Sequence, residues 1–514
     1  MPLQNTENWL SQTENEMAES AILIGDVDPK VITNEVSCFS KGILIICSSE
    51  HENSLPSNTK IHFCSIEKSN TELSEAIGLF VRIDQESTPV VKCAHVVDEK
   101  KAFRTLKTVE LVHSIIDSNL RARKTREETG FVRQNHIFGN LSGYMENRIP
   151  NEWKNSAEGA VAALIGAGTS LDMTLNLLLK IERPLIVSTD SGLSSLLSIG
   201  VDPDYVLNID PEKSFESCCD RRFEHKTLIL SSQSHKSWQE KWTGEVRFIS
   251  GRVITEDWLS EKGIGKTPVI AENNVGLTAL SFTNFLSPSA VILFGMDLSN
   301  DGQGEKRYAR LSGRDHIEIH TSQYHKIPGN YSEFVSTPFL SDWQETSYIC
   351  EKISKERPII NLNDRGATLA GADLLHPIDF NQIESTLRAN FQAYKTSSNF
   401  VGIKRGISVI GKNQIAYELA RCCDKVWSML HDQTEKDLLK RMKDLMANKE
   451  IASMLGDFTF SIFPILLSEK QLEAEERNRI YNELCTLIWK LEDEILKINS
   501  SDDFIREFLT DTID

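Results

Sequence analysis

The feature that most constrains this chain is an alternation. Between residues 155 and 380, short apolar runs take turns with stretches of helical spacing: "ALIGAG" and "LDMTLNLLLKIE", "PLIVSTD" and "SGLSSLLSIG", then "DYVLNIDP", "KTLILSSQS" and "EVRFIS", then "GLTALSFTNFL" and "AVILFGMDLS". Apolar runs too short and too greasy for the surface belong inside a sheet, and a strand–helix–strand order predicts a parallel, doubly wound layer with helices on both faces. In such a layer a ligand sits beyond the carboxyl ends of the strands. Here those ends read Gly166-Ala167-Gly168, Asp190, Asp210, Ser231-Ser232 and Gly295-Met296-Asp297, so small and polar residues gather where a crevice is expected.

The first of these turns, in "ALIGAGTSLD", is the barest. Gly166 and Gly168 permit a sharp bend and a close approach to the main chain, while Thr169 or Ser170 caps the helix that Leu171 opens. Free amides at a helix N-terminus form an anion site, so a phosphate is the expected occupant. A dinucleotide is the obvious version, with Asp190 on a ribose about 20 residues on. Leu171 stands where the third glycine of that fingerprint belongs, however, and no Gly-Lys-Ser/Thr follows to make a P-loop.

Domains of other character flank the alternating region. Residues 1–130 read as a small α/β domain, 131–395 as the central nucleotide-binding layer, and 396–514 as an α-helical domain built on "NQIAYELARCCDKVWSML" and "EAEERNRIYNELCTLIWKLEDEILKI". The chain has 514 residues, and 56 Lys and Arg against 74 Asp and Glu leave a net charge of −18. That balance argues against general affinity for nucleic acid. No run approaches the roughly 20 apolar residues that cross a bilayer, and the polar start "MPLQNTENWLSQTENEMAES" lacks the order of a secretory signal, so a cytoplasmic protein without membrane insertion is expected. The ten cysteines contain no CxxC pair and are expected to be reduced.

Three constellations carry chemistry. Asp210 and Asp297 end strands and are able to orient a ribose, hold Mg2+ on a diphosphate, or act as a base. Asp190 adds a third strand-end acid. The loop-rich stretch "RYARLSGRDHIEIHTSQYHKIPGNYSEFVSTPF" is the most cationic and His-rich segment and follows the Asp297 strand, where it is expected to fold over the crevice as a lid. His316 and His320 lie four apart, but "HIEIH" reads as strand without a zinc scaffold, so no metal site is assigned to them.

Taken in order, "ALIGAGTSLD", "STDSGLSSLLSIGVDPDYVLNIDP", "NNVGLTALSFTNFLSPSAVILFGMDLS", "IPGNYSEFVSTP" and "IINLNDRGATLAGA" resemble the motility-associated factor family of flagellin glycosyltransferases, whose central domain is similar to the MptE-type hydroxymethylpterin diphosphokinase. The resemblance covers residues 135–380. It implies a sialyltransferase-like crevice for a CMP-activated nonulosonic acid, transferred to Ser or Thr of flagellin or another protein acceptor. On it, Gly166, Gly168, Thr169 and Ser170 form the nucleotide turn; Asp190, Asp210 and Asn274 are donor-site groups; Gly295 and Asp297 form the floor where donor and acceptor meet. The base is then Asp297, His316 or His320; no cofactor is assigned, and Mg2+ is an option. The sequence departs from the family's usual pattern at Thr169, Met296, Asn273-Asn274 and Arg365. The same resemblance leaves open an ATP- and Mg2+-dependent pterin diphosphokinase, and a nucleotide-binding protein without turnover.

Overall fold

The computed structural model describes residues 3–4, 9–81, 88–96, 98–182, 184–219, 226–301, 306–314, 325–338, 340–382, 411–430, 438–467 and 473–498. Contacts divide the chain into two compact units, 1–125 and 126–514. The helix Glu99–Gly139 carries the chain from the first into the second. The boundary expected at 130 therefore falls inside a helix, and the one expected at 395 lies outside the described residues.

The first unit is a six-stranded sheet of β1 (Leu3–Gln4), β2 (Ser11–Thr13), β3 (Ser20–Ile24), β4 (Gly42–Cys47), β5 (Ile61–Ser65) and β6 (Val90–Cys93), in the order β1-β2-β6-β3-β4-β5. Its four strands β6, β3, β4 and β5 are parallel. Both faces are covered, as continuous apolar runs require. Ala21 and Leu23 pack with Ile32 and Val36 of the helix Pro29–Cys38, while Ile22 and Ile24 pack with Leu73 and Ile77 of the helix Asn70–Phe80.

The second unit holds the predicted layer. Its strands are β7 (Val161–Ile165), β8 (Leu185–Thr189), β9 (Tyr205–Asn208), β10 (Thr227–Ser231), β11 (Glu245–Ile249) and β12 (Ala290–Phe294), joined by β15 (Ile359–Leu362) and β16 (Asp373–Leu375), after a separate pair β13 (His325–Pro328) and β14 (Phe334–Thr337). The eight pair in parallel in the order β11-β10-β9-β8-β7-β12-β15-β16. The chain thus walks outward from β7 to β11 and then jumps back across to β12, which puts the topological switch between β7 and β12.

Strand alternation divides the side chains between two faces. Ala162, Leu164, Val291 and Leu293 face the helices Val275–Leu286 and Leu340–Ile353, while Val161, Ala163, Ile292 and Phe294 face the short helical turns at 171–180 and 193–198. On that second face, farther out, Val206, Leu228, Leu230 and Phe248 pack with Ile415, Leu419, Leu455, Leu484 and Ile488 of the C-terminal helices. Those helices do form where helical spacing was read, but they share a core with the sheet rather than closing one of their own. Their apolar stripe needs a cover, and the outer strands supply it. Nine of the ten cysteines are buried and all ten are free. No helix among the described residues is long and apolar enough to cross a membrane.

Candidate functional site

The bend after β7 is built as a close approach of two backbones. The Gly166 amide donates to the Phe294 carbonyl at 2.8 Å and the Gly168 amide to the Gly295 carbonyl at 2.8 Å. A Cβ on Gly166 would lie 2.4 Å from the Gly295 oxygen, and one on Gly168 2.6 Å from the Asp297 Cγ. Gly295 itself adopts φ +62° and Leu298 φ +50°. The glycines are there because no side chain fits between the two strand ends.

Asp297 fills the space they leave. Its carboxylate is 2% exposed and accepts from the Ser170 amide at 2.8 Å, the Ser170 hydroxyl, the Thr169 hydroxyl at 3.2 Å and the Asn363 amide at 3.0 Å. Burial pushes its pKa up, against the pull of these donors, Ser170 foremost. This corrects the expectation of open amides: Gly166, Gly168 and Ser170 donate within the protein, and Leu171 donates to the Gly168 carbonyl at 3.0 Å. Ser170 does not cap its helix with its side chain, because its hydroxyl is turned to Asp297. With its oxygens enclosed and already bonded, Asp297 has no path to an acceptor hydroxyl as a base.

The bend instead mounts another segment. Tyr308 bridges antiparallel to Gly168, and the Ala309 amide donates to the Ala167 carbonyl at 2.8 Å. Asp172 then accepts from the amides of Arg310 and Leu311 at 2.9 and 3.0 Å and so caps the short turn Arg310–Ser312. Gly313 ends that turn at φ +69° and sends out Arg314. The Arg314 guanidinium lies 5.6 Å from the centre of the Tyr308 ring and donates to the Ser217 carbonyl at 3.1 Å. It makes no ion pair among the described residues.

Lys213 lies on the loop after β9. Its ammonium is 3.3 Å from Asp190 and 3.6 Å from Asp210. Burial alone would lower its pKa, but the two carboxylates outweigh burial and raise it, with Tyr308 and Cys218 adding to them. Cys218 lies within electrostatic reach of both Lys213 and Arg314; burial and Asp190 push its thiol up to about 11. Asp190 is fully buried, held by the Asn208 amide at 2.9 Å and by the amide and hydroxyl of Ser191 at 2.6 and 3.0 Å. It anchors Lys213 and does not face a ribose. Asp210 differs: its side chain is 33% exposed and takes one backbone amide, from Glu212 at 2.9 Å.

The carboxyl edge therefore brings Tyr308, Arg314, Cys218 and Lys213 near one another, with Asp210 the more exposed of the two carboxylates paired to Lys213. Lys213 was missed by sequence reasoning; its signal was its place three residues after Asp210, on the loop from the same strand. Asn274 caps the helix Val275–Leu286 by accepting from the Leu277 amide at 2.7 Å, and Met296 is buried in the core below. His316 and His320 lie outside the described residues. Among the described residues no group of three or more His, Cys, Asp or Glu is placed to hold a metal ion.

No curated protein matches the chain. A solved glycosyltransferase, described as MAf glycosyltransferase from Magnetospirillum magneticum AMB-1, aligns over 96% of this chain and 78% of its own, at 12% identity and a TM-score of 0.46. Residues 135–303, about a third of the chain, match the family model described as 6-hydroxymethylpterin diphosphokinase MptE-like, and that segment carries β7 to β12 with the glycine bend, Asp190, Asp210, Lys213 and Asp297.

Proposed function

We propose that the crevice binds a nucleotide-activated sugar and transfers it to a hydroxyl, with a CMP-linked nonulosonic acid as donor and Ser or Thr of flagellin or another protein as acceptor. The observation that carries this reading is the Arg314 guanidinium, which lies over Tyr308, has no carboxylate partner among the described residues, and donates toward the Cys218 thiol that Lys213 also influences. Two cations on a strand-end crevice suit a phosphodiester leaving group, and the motif order "ALIGAGTSLD" to "IINLNDRGATLAGA" supplies the sugar class. The bond from the anomeric carbon to the phosphate oxygen breaks with its electrons going to CMP. The acceptor oxygen bonds to that carbon, and its proton passes to Asp210, a strand-end acid whose side chain is one-third exposed.

The MptE-like match favours a second reading, a pterin diphosphokinase. Phosphoryl transfer from ATP needs carboxylates free to hold Mg2+, and here the oxygens of Asp190 and Asp297 are bonded within the protein. On this reading Asp210, one-third exposed, is the carboxylate left to meet the ion.

Titration calorimetry with CMP, and with ATP plus Mg2+, separates these readings. Binding of CMP, lost in Lys213→Ala, and release of CMP from the CMP-sugar that falls about 10²-fold or more in Asp210→Asn at unchanged CMP affinity, are expected. Binding of ATP with Mg2+ while CMP is silent replaces the transferase by the kinase. Binding of CMP without release or transfer from the CMP-sugar leaves a binding protein.

A further inference from the structure

A cavity of about 390 Å³ opens at the carboxyl end of β11, on the same edge of the sheet as the crevice. Its lining is chemically balanced. Arg252 pairs with Glu272 at 2.8 Å, and Lys266 pairs with Asp257 at 2.9 Å. Ile254 and Ile270 supply apolar wall, Ile270 being 39% exposed. The pocket is also firmly built: Lys266 donates to the Gly251 carbonyl at 2.9 Å and sits 3.2 Å from Glu256, which is 1% exposed and takes the Ser232 hydroxyl at 2.5 Å and the Gly251 amide at 2.8 Å. With the buried Glu256 counted, two cations stand against three carboxylates and give no pull on an anionic sugar nucleotide. They do match a polypeptide that brings its own acidic and basic side chains around an aliphatic one.

Its position suits such a guest. In the ladder, Asn208 of β9 and Phe248 of β11 lie level on either side of Leu230 of β10. Asp210 follows Asn208 by two residues and Gly251 follows Phe248 by three, so the cavity and Asp210 are two strand spacings apart, about 10 Å. An extended chain covers that in about three residues. Resting on the transferase reading above, we propose that this cavity is the acceptor subsite: it holds an extended polypeptide segment with an aliphatic side chain flanked by opposite charges, and delivers a hydroxyl about three residues away to Asp210.

The test uses the full chain and two fluorescein-labelled peptides, Gly-Glu-Leu-Lys-Gly-Ser-Gly and the uncharged Gly-Gln-Ser-Gln-Gly-Ser-Gly. In anisotropy titrations the first is expected to bind at least fivefold more tightly than the second. Arg252→Glu combined with Ile270→Gln should weaken it at least tenfold, with the melting temperature kept and CMP affinity within twofold. Lys213→Ala should lose CMP but keep the peptide, which separates failure of the donor reading from failure of this one. Equal or absent binding of the two peptides to the parent, an unchanged affinity in the double variant, or loss of CMP there would each overturn the assignment.

Discussion

Two turns on one edge of the sheet are made of similar residues and do opposite things. After β7 and β12, glycines, hydroxyls and a carboxylate meet and satisfy one another, so Asp297 ends 2% exposed with four donors upon it. After β9, Lys213 is ion-paired to Asp190 and Asp210, whereas Arg314 meets no carboxylate among the described residues and donates only to the Ser217 carbonyl and the Cys218 sulfur. A strand-end cluster stays open to a ligand where a cation or a carboxylate oxygen is left over, as at Arg314 and Asp210. The closed turn also positions a neighbour, since Ala167 and Gly168 hold the Tyr308 segment in place.

The largest effect that sharpens this contrast is expected in Lys213→Ala. Asp190 would remain buried without its counter-charge, which costs about 3–5 kcal/mol of stability. Urea unfolding measures the loss, and CMP binding should vanish with it. A variant that loses CMP while unfolding like the parent would show that Lys213 belongs to the ligand alone and that Asp190 needs no partner.

Gly168→Val comes next and strikes the closed turn. Its Cβ would meet the Asp297 Cγ at 2.6 Å and the Gly295 oxygen at 2.8 Å, so the strand ends must separate, at about 3 kcal/mol. Because the C-terminal helices share the core of this sheet, their unfolding should move together with it in a single denaturation transition. Helices that melt on their own, unaffected by the variant, would contradict the shared core.

Asp297→Asn tests what the closed turn is for, and its effect should depend on pH. The folded carboxyl has a raised pKa, so the folded state binds the proton more tightly than the unfolded state. The parent is therefore helped at low pH and loses that help as pH rises from the unfolded value through the folded one. The amide cannot titrate. Its deficit, about 2 kcal/mol in acid, should shrink toward pH 7. A deficit that grows with pH would mean that the donors hold the carboxylate charged. A large fall in turnover at intact stability would return Asp297 to the chemistry.

The contrast also marks what the residues disclosed in advance. Element order and parallel pairing were legible because buried parallel strands leave continuous apolar runs that stop on polar residues. The closure of the glycine bend was not, since Asp297 reaches it from another strand across more than a hundred residues, and spacing carries no sign of that. Lys213 was hidden for a related reason: in "DPEK" it looks like a solvated charge, and only the fold of the loop after β9 turns it back onto Asp190. For the C-terminal helices the period showed an apolar stripe, but not that β9 to β11 would cover it.

Arg314→Ala should have the smallest effect on the fold and a selective one on binding. The guanidinium gives up one bond to the Ser217 carbonyl and its place on the Tyr308 ring, both at a partly exposed site, so stability should stay within about 0.5 kcal/mol of the parent. A charge-assisted bond to a phosphate contributes about 1.5–3 kcal/mol, which predicts a ten- to hundredfold weaker CMP affinity by calorimetry. Arg314→Lys keeps the charge but not the flat face that rests on Tyr308, so it should recover only part of that loss. Full recovery by lysine would mean that charge alone matters and that the ring is no platform. An unchanged affinity in both variants would detach the open cluster from the donor, and with it the difference drawn between the two turns.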